Sequence, residues 1–432
     1  MAIGTKRSVR RVAVVGAGFA GLRAAHQLAA AGIEVTVLDA RDRVGGRVWS
    51  AFPFGTSAGS GARVERGAEY VLPGNVTVER VVAELGLELV STGMSYGVRQ
   101  PRGGAPTSVA AIRAAALATA QILLAEPALA GRISAAELFD RSVDSGVDPA
   151  AVAALRSRAE ATNGARAELL AAGVLADMDQ GTLANPSRRV GGGNQQVAHR
   201  LAAALGNAVR LGHVVERVEL LDPPGASVLV QGTAAGQRFE LSVDACVVAV
   251  PMLHARRLLA PVAGAQLALD ALDRLEQGQA AKLHVPLLAD APAGAVLDVP
   301  GRWWSWTATD GAQMVAPVVN CFAGSPEGLA ALGVDDGPER WAWLLADRRP
   351  ELQLDLGRAL LSTWHDDPWA LGAYSYAPVG AWPQGEPDEL APTARAFNGI
   401  VLAGEWTAGP WYGLMEGALR SGERAAADVL AL

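Results

Sequence analysis

The chain has 432 residues, a length that suits about two or three domains and a core that needs no covalent staples. Half of the residues are hydrophobic and 19% are charged, which excludes a disordered chain. Lys and Arg number 37 against 44 Asp and Glu, a formal charge of −7, so the basic face that a nucleic acid or an anionic membrane requires is not expected. Cys246 and Cys321 lie far apart and form neither a disulfide framework nor a metal cluster, and the six His residues show no paired-ligand spacing. No metal site is expected, and a reducing compartment is the better fit.

The N-terminal residues run straight into a strand-like Val12-Ala13-Val14-Val15, without the apolar region and cleavage site of a signal peptide. Gly16-Ala17-Gly18-Phe19-Ala20-Gly21 opens a helix that Gly32 ends, and Glu34 to Leu38 is a second strand closed by Asp39. This is a βαβ unit of ordinary size. A helix is expected from Asn75 to Ser91, with Val78, Val81, Val82 and Leu85 on one face. Residues 105–178 read as a helical subdomain with breaks at Pro127, Gly146 and Gly164. Within it, Ala114 to Leu124 is too short and too polar to span a bilayer. A soluble, cytoplasmic protein is expected.

A Gly-rich turn from Pro186 to Gln195 precedes a helix at Gln196 to Leu205. Strands are expected at Val214–Leu220, Ser227–Gly232, Arg238–Leu241 and Ala245–Val250, the last stopped by Pro251. A second sheet is read from Lys282–Leu288 and Met314–Phe322, with helices at Pro338–Arg348 and Leu352–Thr363. Ile400–Ala403 is a strand and Leu414–Leu430 the final helix. Nucleotide-type pieces at both ends with other pieces between them imply interleaved domains.

Gly16, Gly18 and Gly21 carry distinct tasks in a G-x-G-x-x-G turn. The first makes the tight bend, the second lets backbone approach a pyrophosphate, and the third lets helix and strand pack closely. The helix N-terminus offers unpaired N–H groups to the phosphates, and Asp39 stands where an acid bonds a ribose hydroxyl. Without a ligand, the same turn is only a strand–helix junction. Gly45, Gly46 and Arg47 could make a second approach to the pyrophosphate or a solvated basic turn. Gly413, Gly417 and Gly422 would bring a helix N-terminus close to something flat and anionic; a Gly-tolerant packing helix is the plainer alternative. Lys282, in a strand-like apolar context, is by its residues alone a solvent-face lysine. Trp364, Trp369, Tyr374 and Tyr376 read first as core, and Arg302, Trp303, Trp304 and Trp306 as a brace for the second sheet or a cavity wall, bracing being favoured.

Val37-Leu38-Asp39-Ala40-Arg41-Asp42-Arg43-Val44-Gly45-Gly46-Arg47 resembles the second half of the FAD fingerprint of the flavin amine oxidase family, which includes monoamine, polyamine and L-amino-acid oxidases. The resemblance continues in family order. Arg66-Gly67-Ala68-Glu69-Tyr70 is similar to the segment passing the flavin ring, Val190 to Gln195 to a family turn, and Val214-Val215 to the adenine-binding strand. Val247 to Pro251 resembles the strand returning to the FAD sheet. Ala403-Gly404-Glu405-Trp406-Thr407 with Trp411 to Ala418 and Ser421 to Arg424 resembles the C-terminal signature.

The resemblance implies an α/β fold: a doubly wound Rossmann-like FAD domain interleaved with a mixed-sheet plus helical substrate domain. The FAD domain is expected at residues 1–75, 187–262 and 370–432, and the substrate domain at 76–186 and 263–369. The implied cofactor contacts are Gly16, Gly18, Phe19, Ala20, Gly21, Asp39, Ala40, Arg41, Gly46, Arg47, Gly67, Ala68, Glu69, Tyr70, Val215, Gly404, Glu405, Gly413, Leu414, Met415 and Ala418. Lys282 takes the place of a lysine bonded through water to the reactive flavin nitrogen, and Tyr374 that of one wall of an aromatic cage. Three departures stand out. Asp39 replaces the usual Glu; Leu414 replaces the second aromatic wall, for which Trp306, Trp411 or Tyr412 could substitute; and Ala373 stands where mammalian monoamine oxidases carry the Cys that binds flavin, so non-covalent FAD is expected.

The activity so implied is oxidation of a small-molecule amine. Hydride passes from the carbon beside nitrogen to the flavin, the imine hydrolyses to an aldehyde or ketone, and oxygen is reduced to hydrogen peroxide. L-Amino-acid oxidation ranks second, because the Gly67 to Tyr70 segment lacks the Arg of those enzymes, although Arg99 or Arg302 could bind a carboxylate. A dehydrogenase with another electron acceptor, a carbon–carbon desaturase and a silent FAD-binding scaffold are the remaining readings. The oligomer is open, a homodimer being the commonest assembly.

Overall fold

The computed structural model describes residues 9–54, 62–176, 186–221, 227–309, 311, 314–381 and 395–432. The first sheet has six strands, in the order Ala396–Phe397, Ile400–Leu402, Ala245–Val248, Arg11–Val15, Glu34–Leu38, Val209–Arg210. Its pairs are parallel except for the Ala396–Phe397 edge. The strands read as almost unbroken apolar runs because both faces are covered. Val12, Val14, Val37 and Val247 face the helices Phe19–Ala30, Gln196–Leu205 and Met415–Ala431. Ala13, Val15, Cys246 and Val248 face the opposite core, which holds the antiparallel strands His213–Leu221, Ser227–Ala234 and Gln237–Val243.

The second sheet is mixed, in the order Leu360–Thr363, Ala280–Pro286, Val318–Gly324, Trp303–Thr307, Gly294–Asp298, Gln100–Arg102. One face packs on Trp341 and Leu345 of the helix Glu339–Arg348. The other looks toward the helices Val109–Ala125, Ala135–Asp144 and Pro149–Asn163. These helices start where short polar side chains satisfy the first free N–H groups. Ser108 accepts from Ala111, Ser134 forms a capping box with Glu137, and Asp148 precedes a proline at the first turn. Gly164, at φ 67°, ends the last of them. Residues 177–178 of the expected helical stretch lie outside the described residues.

Two expected helices differ from what the chain forms. The helix expected from Asn75 to Ser91 is confined to Val76–Glu84; Gly86 turns the chain at φ 65°, and Leu89–Ser91 becomes a strand against Arg188–Val190. The helix expected over Leu352–Thr363 is a short turn followed by the strand Leu360–Thr363, which pairs with residues 281–284. In both segments, pairing with a distant strand outweighs local spacing. Among the described residues no helix is long and apolar enough to cross a membrane, and no group of three His, Cys, Asp or Glu could hold a metal ion.

Candidate active site

The Gly16 turn joins the first strand to the first helix. Gly16 sits at φ +108°, and a Cβ there would lie 2.7 Å from the Ala249 carbonyl oxygen. A Cβ on Gly21 would lie 1.9 Å from the Gly16 carbonyl oxygen, so that glycine serves helix–strand contact. A Cβ on Gly18 would meet nothing within 4 Å, and this residue faces a cavity. At the end of the second strand, Asp39 accepts from the Ala17 N–H at 2.6 Å and the Arg41 N–H at 2.8 Å. Burial pushes its carboxyl above the ordinary range despite these bonds. Arg41 is held by a bidentate pair with Asp367 at 2.8 and 2.7 Å. Arg47 pairs with Glu405 at 3.0 Å, and Glu405 in turn accepts from the Ser375 hydroxyl at 2.5 Å and the Gly413 N–H at 2.6 Å.

A cavity of about 620 Å³ runs from this turn to the second sheet. The expected cofactor contacts Gly16, Gly18, Phe19, Ala20, Asp39, Ala40, Arg41, Gly46, Arg47, Gly67, Ala68, Glu69, Tyr70, Val215, Gly404, Glu405, Gly413, Leu414, Met415 and Ala418 all line it. Gly21 is set back in the packing below the turn. Lys282, Tyr374 and Trp306 line it as well. Trp411 and Tyr412 do not: Trp411 lies against Arg420, 5.4 Å from its ring centre, and Tyr412 packs on the helical core. Of the three side chains considered for the missing wall, only Trp306 is brought to the cavity.

Lys282 is 2% exposed, not a solvent-face residue. Alternation along Ala280–Pro286 sends Ala281, Leu283 and Val285 into the apolar core and Lys282 to the cavity side. Its ammonium donates to the Glu65 carbonyl at 2.5 Å, the Gly67 carbonyl at 3.0 Å and the Glu69 carboxylate at 2.6 Å. Glu69 also accepts from Arg189 at 2.9 Å. Burial by itself raises the Glu69 carboxyl, but the two cations outweigh it and hold the group below its ordinary range. On the same strand, burial holds His284 neutral, with its pKa pushed down to about 3, and the ring bonds Asn320 at 2.8 Å.

Strand register sets Ser362, Lys282, Phe322 and Trp304 opposite one another across four strands. Trp304 and Trp306, two residues apart, stack with centroids 4.2 Å apart, and Tyr70 stands 5.9 and 5.7 Å from them. Tyr96 meets Tyr70 at 5.4 Å and Trp304 at 5.5 Å. Trp303 points the other way and packs edge-on against Trp341 at 6.1 Å. The tryptophan row is therefore divided: Trp303 braces, whereas Trp304 and Trp306 wall the cavity, against the favoured expectation of bracing. Strand alternation was the available signal for Trp304. Nothing in local sequence marked Tyr96 or Phe322, which also line the cavity, and Trp364 and Trp369, read first as core, line it too. Tyr376 lies in the helical core instead.

The chain matches the family model of flavin containing amine oxidoreductase over residues 19–430. It belongs to that family. A flavin-containing monoamine oxidase candidate of Mycobacterium tuberculosis, AofH, is 29% identical over 98% of this chain and 96% of its own length. Putrescine oxidase of Kocuria rosea is 47% identical over 87 residues, a match spanning 20% of this chain and only 17% of that protein. Among solved structures, a putrescine oxidase variant superposes with TM-score 0.76 at 23% identity over 98% of this chain and 99% of that one. Cyclohexylamine oxidase from Brevibacterium oxydans does so with TM-score 0.77 at 19% identity, with the same coverage. These likenesses share the mixed α/β fold.

The family's flavin fits the residues present. Open space faces Gly18, cations and glycines line one end of the cavity, and the buried Tyr70 hydroxyl beside it has no hydrogen-bond partner.

Proposed function

We propose that the protein is an FAD-dependent oxidase of a small-molecule amine. The observation that carries this reading is the convergence of the Gly16 turn, Asp39, Lys282 and Tyr374 on one cavity. In this reading the parallel sheet and its helices form a Rossmann-like FAD domain, drawn from residues 1–75, 187–262 and 370–432, and the remaining segments form the substrate domain. Gly16, Gly18 and the first helix turn would hold the pyrophosphate, Asp39 the ribose and Val215 the adenine. When bound, FAD would accept a hydride equivalent from the C–H beside nitrogen, giving an imine that hydrolyses to an aldehyde or ketone, and oxygen would be reduced to hydrogen peroxide.

The chain's own residues would bind, orient and desolvate. Tyr374 keeps its hydroxyl proton, because burial pushes its pKa well above the ordinary value, and so presents a neutral aromatic wall to the amine. Lys282 is held at its nitrogen by three oxygens, one of them of the Glu69 carboxylate, and brings its ammonium to the cavity side. That charge, together with exclusion of water, favours the neutral amine, the form able to give up hydride. Ala373 offers no thiol, and Cys246 and Cys321 are buried in other cores, which supports non-covalent FAD. L-Amino-acid oxidation is disfavoured because Arg302 pairs with Glu160 at 2.9 Å and Arg99 stacks on Trp304 at 3.7 Å, neither lining the cavity.

The test is direct. The purified protein should be yellow and should release its flavin on denaturation. An amine added without oxygen should bleach it, and readmitted air should restore the colour with peroxide. A yellow protein that no amine bleaches refutes the proposal. Bleaching without rapid recovery in air assigns a dehydrogenase.

A further inference from the structure

The carboxylates along the cavity are already committed to partners within the chain. Among the described residues four carboxylates line the cavity. Asp39 holds two backbone N–H groups, and Glu405 is tied to Arg47, Ser375 and Gly413. Glu216 lies beside Val215 on the strand His213–Leu221 and accepts from Thr233 at 3.0 Å. Only Glu69 stands with Lys282, and its two oxygens are taken by Lys282 and Arg189. The rest of the wall near Lys282 consists of Tyr70, Tyr96, Trp304, Trp306, Phe322 and Tyr374. Behind that wall, the Arg99 guanidinium lies 3.7 Å from the centre of the Trp304 ring and 4.6 Å from that of Tyr96. On the near side, the Lys282 ammonium is 5.4 Å from the Trp306 ring centre. Lys282, Arg189, Arg99 and Arg63, the last paired with Glu65 at 3.7 Å, outnumber the carboxyls of Glu65 and Glu69 and leave an excess of positive charge around an apolar space.

Resting on the amine-oxidase reading above, we infer that this site takes amines whose only ionisable group is the reacting nitrogen, carried on an aromatic or bulky apolar body, and rejects diamines and polyamines. A second ammonium would lose its water at a wall with no uncommitted carboxylate among the described residues. It would also face the excess positive charge. Burying a charge without a partner is costly, and Lys282 and Arg99 add repulsion rather than relief. An aryl or alicyclic body would instead replace water against tyrosine and tryptophan rings. The rings of Tyr96, Trp304 and Trp306 do not substitute for a carboxylate here, because they already face Arg99 or Lys282.

The deciding experiment compares matched substrates on the holoenzyme by anaerobic stopped-flow: hexylamine against 1,6-diaminohexane, and 2-phenylethylamine against 1,4-diaminobutane. Each member of the first pair has the same carbon chain, so the comparison isolates the second ammonium. The second-order constant for flavin reduction should be at least ~100-fold lower for each diamine than for its monoamine. Equal or faster reduction by the diamines overturns the inference while leaving the amine-oxidase reading intact. Failure of all four amines overturns that underlying reading instead.

Discussion

Replacing Glu69 with Gln tests the charge cluster at the heart of the site. Gln preserves size but turns one of the two accepting oxygens into a donating NH2, and it removes the one negative charge that touches both Lys282 and Arg189, at 2.6 and 2.9 Å. All three side chains are nearly inaccessible, at 7%, 3% and 4% exposure for Glu69, Lys282 and Arg189. Breaking a buried pair by removing one partner costs ~3–5 kcal/mol, because an uncompensated charge is left behind. The lower figure applies here, since Lys282 keeps the Glu65 and Gly67 carbonyls and Arg189 keeps that of Thr309 at 2.7 Å. Glu69→Gln should thus lower stability by about 3 kcal/mol in urea unfolding followed by tryptophan fluorescence. Lys282→Met should cost a similar amount, and the double variant much less than the sum, with a coupling of about 2 kcal/mol. The depressed Glu69 carboxyl also sets a sign: its contribution is complete above the ordinary Glu range and fades as pH falls through and below it. A cost under about 1 kcal/mol with additive singles would show that the three groups do not share one desolvated cluster.

Other predictions rest on separate features. His284 stays neutral in the fold down to about pH 3, against an ordinary value of 6.5, so its contribution is complete above pH 6.5 and is lost progressively below it. Stability should fall by roughly 2 kcal/mol between pH 6.5 and 5 from this group, and His284→Asn should flatten that slope in urea titrations. At Gly413, φ is +72° and a Cβ would lie 2.6 Å from Tyr374 Cδ2. Gly413→Ala should displace that ring and slow amine-dependent flavin reduction by about 10–100-fold while the visible flavin spectrum persists; an unchanged rate would remove Tyr374 from the amine site. Trp303→Phe should cost about 1–2 kcal/mol and leave KM for the amine unchanged, whereas Trp304→Phe should raise KM, because the two rings occupy opposite faces of one strand.

Local sequence was sufficient wherever a backbone task restricts the residue. The bend at Gly16 needs φ +108°, and the contact at Gly21 leaves no space for a Cβ, so both positions advertise the first strand–helix junction directly. Asp39 could be read for the same reason: it closes the strand, and its carboxylate ties down the N–H groups of Ala17 and Arg41. The resemblance of the linked motifs then brought Lys282 and Tyr374 into view, which residue type and spacing alone did not.

What tertiary structure decided is everything that depends on distant pairing. Leu352 to Thr363 has helical spacing, yet Leu360–Thr363 gains more by adding an edge strand to the sheet that carries Lys282. Lys282, Phe322 and Trp304 lie far apart in the chain and become neighbours only through strand register, just as Glu69 reaches Lys282 and Arg189 only after two separate segments fold beside it. The tryptophan row shows the division most plainly. Composition announces a cluster of rings, but which ring braces and which faces the cavity follows from the side of the sheet each occupies and from what packs there. A sequence specifies short-range backbone demands residue by residue; a desolvated charge cluster and its aromatic wall exist only when distant segments exclude water together.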